Sequence, residues 1–516
     1  MTEDRTFNAC EWLLDRHVRE GRGDRVAIRS GGASYTYAEI LDRVRATAAG
    51  LRSLGVRPEE RVLLVLLDSV EFVVSFLGAI RIGAIPVPAN PQSRPADLAR
   101  IAEDARVRLA VVSGARAALV PALKGLSGLV VTGREEPPGP PGVVVHRWAD
   151  VMSTPGDVTP YAAGGDFPGF WLCTGGTTGH PKLVMHRHVD LRLTAENYSG
   201  PVLALTGSDR CYSVGPMFHA YGLGNSLTFP FAVGATSVLE PTRPLTPALV
   251  ADLVAREKPT LFFCIPTFYA ALLSSDIPDQ TFASVRLGVS AAEPLPAGIW
   301  RRFKERFGVE ILDGIGSTEA LHMFISNLPQ DIVPGSSGRV VPGWEARILD
   351  EQGQPVPLGE AGHLFVRGDS MATGYWCQAD WSRRTFRGEW ASTGDIYACS
   401  PDGHYTYLGR SDDMLRVSGE WVSPAEVEAV LIEHADVEEA AVVGAQDPNG
   451  LQKPVAFVIG RMGSGLSPED VIDFCRARLP SFKCPRRVVI TEELPKTVTG
   501  KIQRFRLREK AVGLLS

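Results

Sequence analysis

The chain has 516 residues, which is too long for one compact core and predicts two to four domains. Hydrophobic residues make up 44% and charged residues 22%, which is a globular composition and excludes collagen-like, disordered and membrane-embedded classes. A net charge of -6, from 53 basic and 59 acidic residues, is small for this length and disfavours a nucleic-acid-binding role. The 8 cysteines form no CxxC pair or zinc-like spacing, so we interpret them as reduced thiols.

Neither an export signal nor a membrane span is predicted. Residues 1–10 include Glu3, Asp4 and Arg5 and contain no apolar core, so a secretory signal is not expected. The most apolar run, residues 62–80, is interrupted by Asp68 and Glu71 and predicts a buried strand followed by a helix. We therefore expect a cytoplasmic protein that does not use a membrane as a partner.

The first half of the chain has the pattern of an α/β fold. Short β-rich runs at 62–66, 109–112 and 129–131 alternate with amphipathic stretches such as 37–54, which predicts helices layered on parallel strands. Segments rich in Pro and Gly predict surface loops at 135–142 and 162–169.

The second half predicts a small β subdomain and then a separate carboxyl-terminal domain. Strand-like segments at 346–349 and 363–366 are separated by turns that contain Gly and Pro. After a further strand-like segment at 405–408, residues 409–413 are charged and turn-prone. A new pattern follows, with helices at 425–432 and 468–479 and a strand at 439–443. We predict an amino-terminal domain over 1–411 and a small α+β domain over 412–516.

The segment 171–182, WLCTGGTTGHPK, is typical of a phosphate-binding loop. Its glycines allow a tight turn with exposed N–H groups, its Thr hydroxyls can donate to phosphate or contact a metal, and Lys182 adds a positive charge. The spacing is not that of a Walker A loop, and Pro181 opposes a helix directly after it. A Gly/Thr-rich surface loop is the structural alternative.

Further segments contain polar groups suited to a nucleotide. Residues 313–319, DGIGSTE, place Glu319 after a Gly-bearing turn, where it could hold Mg²⁺ or simply favour a helix amino terminus. Asp395 could accept both ribose hydroxyls, and Arg410 offers a guanidinium near the hinge. Lys501 lies within 494–504, LPKTVTGKIQR, which by itself could be a solvated basic tail.

Taken together, these motifs resemble the adenylate-forming superfamily of acyl- and aryl-CoA ligases, carrier-loading adenylation domains and luciferases. The resemblance covers nearly the whole chain and keeps the order of the loop at Thr174, the segment 216–219, Glu319, Asp395, Arg410 and Lys501. It implies a large amino-terminal domain of three subdomains, two of them α/β layers and one of them β. The carboxyl-terminal domain would rotate about a hinge at Asp412 between two half-reactions.

The resemblance also implies roles for individual residues, with ATP, Mg²⁺ and coenzyme A as cofactor and co-substrates. Lys501 would stabilise the charge that develops between the carboxylate and the α-phosphate, Thr177 and Glu319 would hold Mg²⁺, and Lys182 would contact the departing phosphates. The implied catalytic residues are Lys501, Thr177, Glu319 and His219. The implied nucleotide-binding residues are Thr174, Gly175, Gly176, Thr178, Gly179, Lys182, Asp313, Gly314, Ile315, Ser317, Thr318, Asp395 and Arg410. The implied coenzyme A channel comprises Ser418, Gly419 and Trp421.

Within the superfamily, the blocks 218–225, 313–322 and 413–424 are similar to those of benzoate-CoA ligases. No Asp follows Phe218, so the ammonium of an amino-acid substrate would be buried without a partner. Tyr221 would shorten the pocket against fatty chains, while Phe262, Phe263 and Phe268 could line it or belong to the core. The implied acid pocket comprises His219, Ala220, Tyr221, Gly222, Ser290, Ala291, Gly314, Gly316, His322 and Lys501. His219 resembles the family's gating aromatic, and His322 could contact the acid or be a core histidine.

Three positions depart from the common pattern. Most members have an aromatic residue at the position of Ile315, where it stacks on adenine. Benzoate-CoA ligases also lack this aromatic residue. Leu183 replaces the usual Gly after Lys182, and Trp421 stands where some CoA ligases have an Arg near the phosphates. The last difference leaves the phosphate contacts of coenzyme A open.

The leading interpretation is an AMP-forming aryl-CoA ligase that acts on a benzoate-type acid. A stand-alone adenylation enzyme that loads a phosphopantetheinyl carrier protein is the alternative, because both acceptors end in the same thiol. A regulator that has lost catalysis is disfavoured by the presence of Lys501, Glu319 and Asp395. A dehydrogenase is disfavoured because both Gly-x-Gly segments lack the third glycine. The sequence leaves the ring substituents open, and also whether the chain is a monomer or a homodimer.

Overall fold

The computed structural model describes residues 6–116, 123, 125–133, 142–174, 181–417, 420–461, 463–496 and 502–515. In this part of the chain the elements confirm a mixed α/β class, with several sheets in the amino-terminal part and a smaller α+β unit at the carboxyl end. The predicted loop at 135–142 lies outside the described residues apart from its last residue, Gly142.

The strands up to residue 340 build the α/β layers. They are β1 (Val26–Ser30), β2 (Ala33–Thr36), β3 (Arg61–Val65), β4 (Ile85–Pro88), β5 (Val107–Ser113), β6 (Gly128–Thr132), β7 (Val144–Arg147), β8 (Pro168–Thr174), β9 (Lys182–Arg187), β10 (Arg210–Ser213), β11 (Thr236–Leu239), β12 (Leu261–Cys264), β13 (Leu287–Ser290), β14 (Ile311–Gly316), β15 (Met323–Ser326) and β16 (Arg339–Val340).

Most of the later strands form the β subdomain and the carboxyl-terminal unit. They are β17 (Trp344–Leu349), β18 (Ala361–Gly368), β19 (Gly374–Tyr375), β20 (Phe386–Arg387), β21 (Trp390–Cys399), β22 (Tyr405–Arg410), β23 (Leu415–Val417), β24 (Glu420–Val422), β25 (Val437–Gln446), β26 (Gln452–Gly460) and β27 (Arg487–Ile490).

The α-helices of the described residues cover the sheet faces. They are α1 (Arg16–Arg19), α2 (Tyr37–Ser53), α3 (Val70–Arg81), α4 (Pro95–Asp104), α5 (Trp148–Met152), α6 (His188–Thr194), α7 (Ala220–Leu223), α8 (Phe229–Val233), α9 (Pro247–Glu257), α10 (Pro266–Ser274), α11 (Ala297–Phe307), α12 (Ala379–Thr385), α13 (Pro424–Ile432), α14 (Pro468–Arg476) and α15 (Arg504–Ala511). Shorter helical segments lie at Glu11–Asp15, Ala195–Ser199, Gly224–Thr228 and Asp279–Phe282.

Two largely parallel sheets form the amino-terminal part. One has the order β4-β3-β5-β6-β7, and all of its described pairs are parallel. Its strand β3 is buried on both faces, because Leu64 packs into the cluster formed with α2 and α3 while Leu63 packs into the opposite cluster. This arrangement explains why the sequence of β3 is a continuous apolar run rather than an alternating one.

The second sheet positions the candidate site. Its order is β16-β15-β14-β13-β12-β10-β11-β1-β2, and the pairs from β14 through β10 and β11 to β1 are parallel. The antiparallel strands β15 and β16 extend it at one edge. In a parallel sheet the loops at the carboxyl ends of the strands meet at one edge, which is where ligands bind in open α/β folds.

The β subdomain and the carboxyl-terminal unit follow. Strands β17, β18, β20, β21 and β22 form an antiparallel sheet, and β8, β9 and β19 form another small sheet. After β22, the carboxyl-terminal unit has the hairpin β23-β24 and the sheet β25-β26-β27, with α13 and α14 on it. Hydroxyl caps begin both helices, since Ser423 and Ser467 accept the N–H groups of Glu426 and Asp470.

Candidate active site

The carboxyl ends of β12, β13 and β14 bring several predicted residues to one edge of the large sheet. Cys264 pairs with Ser290, and Ser290 pairs with Asp313, so these three residues lie side by side. Ala291 and Gly314 follow directly after them in the chain, and both are buried. The parallel register therefore assembles residues that are far apart in the sequence.

Asp313 is a buried carboxyl group at this edge. Its exposed fraction is 6%, and the backbone N–H of Leu295 donates to Oδ2 at 3.4 Å. Burial raises the pKa of Asp313 to about 7, because the low-dielectric surroundings disfavour the charged form. The carboxyl group therefore keeps its proton to a higher pH than an exposed Asp does.

The segment after Asp313 turns back into the sheet instead of starting a helix. Strand β14 ends at Gly316, and the hydroxyl of Ser317 accepts the N–H of Ala320 at 3.1 Å. A Cβ atom at Gly316 would lie 2.3 Å from the carbonyl oxygen of His322, so only glycine allows the two strands to approach this closely. Ile315 is half-buried and packs with the apolar cluster that contains Ala320.

An aromatic group lies beside this edge, formed by Tyr198, Tyr221, Phe229 and His322. The His322 ring is 5.6 Å from Tyr221 in a stacked arrangement, 5.2 Å from Tyr198 and 4.5 Å from Phe229. His322 Nε2 lies 3.2 Å from Oδ1 of Asn225, and burial lowers the pKa of His322 to about 3. The imidazole is therefore neutral at physiological pH and contributes a polar aromatic surface without a charge.

Tyr221 joins this aromatic group to the sheet. It lies in α7, and its hydroxyl donates to the carbonyl oxygen of Val289 at 3.0 Å, close to the carboxyl end of β13. Its ring is 6.5 Å from Phe263, in an edge-on arrangement. Phe262 points to the other face of the sheet, where it packs against Tyr269, so it belongs to the core of that layer. Phe268 packs on the same core.

The segment that leads into α7 and the first turn of this helix carry further predicted pocket residues. His219 is half-buried, its ring is 4.6 Å from that of Phe218, and its backbone N–H donates to the carbonyl oxygen of Pro216. Ala220 is buried and begins the helix. A Cβ atom at Gly222 would lie 2.1 Å from the Pro216 oxygen, so this glycine permits the tight entry into α7.

Asp395 and Arg410 form the second part of the site on adjacent strands. They are register partners in β21 and β22, and Nη1 of Arg410 donates to Oδ1 of Asp395 at 3.1 Å and to the carbonyl oxygen of Thr393 at 2.8 Å. Gly394 has a φ of +75°, and a Cβ atom there would lie 2.6 Å from Nη2 of Arg410. The glycine of the STGD motif thus leaves room for the guanidinium.

Glu319 and Lys182 form the third part, and two aromatic residues accompany them. The hydroxyl of Tyr375 donates to Oε1 of Glu319 at 2.7 Å. Nζ of Lys182 lies 3.4 Å from the ring centroid of Trp381 and 5.0 Å from that of Tyr375. Our sequence analysis missed both aromatic residues. The aromatic pair at 375–376 directly after Gly374 could have indicated Tyr375, but it does not include Trp381.

The residues present fit a magnesium ion that is shared with phosphate groups. Glu319 is half-buried and offers a hard carboxylate oxygen, which is the ligand type that Mg²⁺ prefers. In the described part of the chain, no group of three or more His, Cys, Asp or Glu residues could hold a metal by itself.

A buried network fixes the backbone next to Glu319. Nε2 of His186 lies 2.8 Å from the carbonyl oxygen of Thr318, and Nδ1 lies 3.1 Å from Oδ2 of Asp190. The guanidinium of Arg187 donates to the other carboxyl oxygen of Asp190. These residues on β9 and α6 were also missed by the sequence analysis.

Several predicted residues lie outside the described part of the chain. They are Gly175, Gly176, Thr177, Thr178, Gly179, Ser418, Gly419 and Lys501. Thr174 and Lys182, at the two ends of the phosphate-loop segment, are register partners in β8 and β9. Trp421 lies in β24, where its backbone pairs with Arg416.

At the predicted hinge, Asp412 is exposed and its carboxylate lies 3.7 Å from Nε of Arg410. The next residue, Asp413, pairs with Arg508 at 2.7 Å and with Arg504 at 3.8 Å. Both arginines belong to α15, so the chain is fixed to the carboxyl-terminal unit immediately after Asp412.

Two family models match the chain. The AMP-binding enzyme family matches residues 14–376, and the AMP-binding enzyme C-terminal domain matches residues 426–501. The chain belongs to the AMP-binding enzyme family. None of the helices in the described part combines the length and apolarity that a bilayer crossing requires.

Several similar proteins are named as CoA ligases of aromatic acids. The benzoate-CoA ligase of Thauera aromatica is 42% identical over 97% of this chain and 96% of the relative. The 4-hydroxybenzoate-CoA/benzoate-CoA ligase of Rhodopseudomonas palustris is 40% identical over 99% of this chain and 95% of the relative. The crystal structure of the anthranilate CoA ligase AuaEII in complex with anthranoyl-AMP superposes with a TM-score of 0.93 at 39% identity, covering 98% of each chain.

Proposed function

We propose that the protein is an AMP-forming aryl-CoA ligase that acts on benzoate-type acids. The observation that carries this proposal is the aromatic group of Tyr221, His322, Tyr198 and Phe229 beside the carboxyl edge of the sheet. Tyr198, Phe229 and His322 are buried, so Tyr221 is the member of this group that a flat ring can pack against, and the neutral His322 behind it places no charge there. The full-length similarity to enzymes named as benzoate-CoA ligases supports the same conclusion.

In the first half-reaction a carboxylate oxygen of the acid attacks the α-phosphorus of ATP. A bond forms between them, the bond to the β-phosphate bridging oxygen breaks, and pyrophosphate leaves. Lys501 would stabilise the charge between the two anions, and Thr177 and Glu319 would hold Mg²⁺, which neutralises phosphate charge when bound. Lys182 would contact the departing phosphates, while Asp395 and Arg410 would hold the ribose.

In the second half-reaction the thiolate of coenzyme A attacks the acyl carbon and AMP leaves. We propose that the carboxyl-terminal unit rotates about Asp412 between the two steps, so that Lys501 leaves and the segment with Ser418, Gly419 and Trp421 lines the thiol channel. The attachment of Asp413 to Arg504 and Arg508 supports a pivot just before it.

We propose that the acid is benzoate or a benzoate with one small polar substituent. The relatives are named for benzoate, 4-hydroxybenzoate and anthranilate, which differ only by one hydroxyl or amino group. We expect fatty acids to be disfavoured, because the Tyr221 hydroxyl is held by the carbonyl oxygen of Val289 and the fixed ring would shorten the pocket.

The test is pyrophosphate release by the purified protein with substituted benzoates, cinnamates, fatty acids and amino acids, followed by thioester analysis with coenzyme A. We expect turnover with benzoates and formation of the aryl-CoA and AMP in equal amounts. Tyr221→Ala should extend activity to longer acids, with Tyr405→Phe as a control outside the site. Preferred turnover of fatty or amino acids by the wild type would contradict the proposal.

A further inference from the structure

We propose that Tyr375 and Trp381 are positioning residues that set the two side chains at the phosphate end of the site, Glu319 and Lys182. We call these two aromatic residues the aromatic cradle. The inference rests on the proposed function, because it assigns the cradle to the binding of the magnesium-nucleotide complex.

The strand pairing places the cradle beside the phosphate-loop strand. Tyr375 ends β19 and pairs with Val184 of β9, the strand that begins at Lys182. The backbone N–H of Tyr375 donates to Oγ of Ser382 at 3.0 Å, which attaches α12 and its residue Trp381 to the end of β19. The two rings are therefore held by the backbone on the same side of the strand that carries the lysine.

Lys182 lies against both rings. Its Nζ atom is 3.4 Å from the centroid of Trp381 and 5.0 Å from that of Tyr375, within the range of a cation–π interaction. Such an interaction restricts a long, flexible side chain that could otherwise take many rotamers. We infer that the cradle holds the ammonium in place at the start of β9 before a nucleotide arrives.

Tyr375 also contacts the carboxylate. Its hydroxyl donates to Oε1 of Glu319 at 2.7 Å, and the hydroxyl of Thr385 lies 3.4 Å away. The hydrogen bond fixes one carboxylate oxygen of Glu319 and leaves the other oxygen free to bind a metal ion.

The two contacts predict separable effects. The hydroxyl of Tyr375 acts on the residue that would hold Mg²⁺, so its loss should matter only when the metal is present. The indole of Trp381 acts on Lys182, which attracts phosphate charge directly, so its loss should matter with or without metal. A purely structural role of either residue would not produce this difference.

The experiment is calorimetric titration of the full-length protein with ATP in the absence of any acid, once with Mg²⁺ and once with EDTA. The variants are Tyr375→Phe, Trp381→Leu and Trp381→Phe. The control is Trp390→Leu, which removes a similar cation–π pair with Arg347 at 4.1 Å on the surface of the β subdomain. No turnover is needed for this readout.

Tyr375→Phe should weaken binding about fivefold with Mg²⁺ and leave it unchanged in EDTA, since a hydrogen bond to a carboxylate is lost. Trp381→Leu should weaken binding about fivefold under both conditions, and Trp381→Phe should restore most of it because an aromatic face remains. Trp390→Leu should bind as the wild type does.

Equal weakening by Tyr375→Phe with and without Mg²⁺, or unchanged binding in Trp381→Leu, would overturn the inference. Equal loss in Trp390→Leu would do so too, because it would indicate a general effect of removing a tryptophan. A wild type that binds MgATP but makes no aryl-CoA would refute the proposed function and leave the assignment of the cradle intact. A wild type that binds no ATP would refute both.

Discussion

Asp313 shows how one buried side chain can make stability depend on pH. Its pKa is about 7 in the folded chain, compared with 3.8 for an ordinary Asp, because burial disfavours the carboxylate. Between these two values the folded state keeps a proton that the unfolded state has released. The contribution of Asp313 to the stability of the folded state is therefore fully present below pH 3.8 and is lost as the pH rises through about 7.

We expect Asp313→Asn to remove this dependence. Relative to the variant, the free energy of unfolding of the wild type should fall as the pH is raised from about 4 to about 7, by at most about 1.4 kcal/mol per pH unit. Urea unfolding of both proteins at a series of pH values, without nucleotide, measures the difference. A wild type that gains stability relative to Asp313→Asn over this range would show that the carboxyl is charged when folded.

Gly394 is a second residue whose role follows from its backbone conformation and from the space that it leaves for Arg410. Its φ of +75° disfavours any other residue, and a Cβ atom would overlap Arg410. Gly394→Ala should displace the guanidinium and weaken ATP binding about tenfold, with a loss of stability of about 1 kcal/mol from the backbone conformation alone. The control is Gly388→Ala, where φ is +66° but no atom lies within 4 Å of the new Cβ.

The two glycine variants should therefore lose similar stability and differ in nucleotide affinity, which calorimetry and thermal unfolding measure together. Similar ATP affinity in Gly394→Ala and Gly388→Ala would mean that Arg410 does not take part in nucleotide binding.

Residues within one motif could be predicted from the sequence, whereas residues that act across strands could not. Asp395 and Glu319 stand in short segments whose residue types already suggest nucleotide chemistry. Tyr375 and His186 look like core residues in the sequence, because their partners, Glu319 and Thr318, are supplied by a different part of the chain. Contacts between side chains from separate strands depend on register, which a single sequence does not specify.

At the level of elements, the strong apolar patterns gave correct predictions and the short strands did not. The runs at 62–66 and 109–112 are β3 and β5, and the predicted helix at 425–432 is α13. The strands β16, β19 and β20 have only two residues each, which is too short to show a periodic pattern in the sequence. They form because neighbouring strands pair with them. One of these, β19, carries Tyr375, so the weakest element in the sequence contributes directly to the candidate site.

The link between β22 and β23 is the element that we expect to move. Asp412→Pro should restrict φ at the pivot and hold the carboxyl-terminal unit in one orientation. Among the described residues no hydrogen bond uses the Asp412 N–H, so the variant should still fold. We expect overall turnover to fall at least about tenfold while one half-reaction stays near the wild-type rate.

Asp412→Ala is the matched control, since it loses the carboxylate near Arg410 but keeps a free φ. Pyrophosphate release and thioester formation from supplied benzoyl-adenylate, each measured separately, distinguish the two variants. Normal overall turnover in Asp412→Pro would argue against rotation at this residue.

On the scale of the whole molecule, the proposed reaction requires one residue of the small carboxyl-terminal unit to act in a site built by the large sheet. The segment that carries Lys501 is fixed at both ends, since Lys496 and Ile502 form an antiparallel bridge and the N–H of Gln503 donates to Pro495. Arg504, three residues after Lys501, pairs with the half-buried Glu428 of α13 at 2.8 Å. The described residues on either side of Lys501 are therefore attached to the carboxyl-terminal unit, and we expect Lys501 to move with that unit.

It follows that Lys501 should matter in one orientation only. Lys501→Ala should slow adenylate formation by about a hundred- to a thousandfold, because a charge that stabilises the transition state is lost. Thioester formation from supplied benzoyl-adenylate should stay within about twofold of the wild-type rate, since the lysine would by then have left the site. Lys496→Ala is the control, because this neighbouring lysine pairs with Glu439 at 2.7 Å inside the carboxyl-terminal unit. An equal loss in both half-reactions would mean that a single orientation performs both steps, and the unit would not need to rotate.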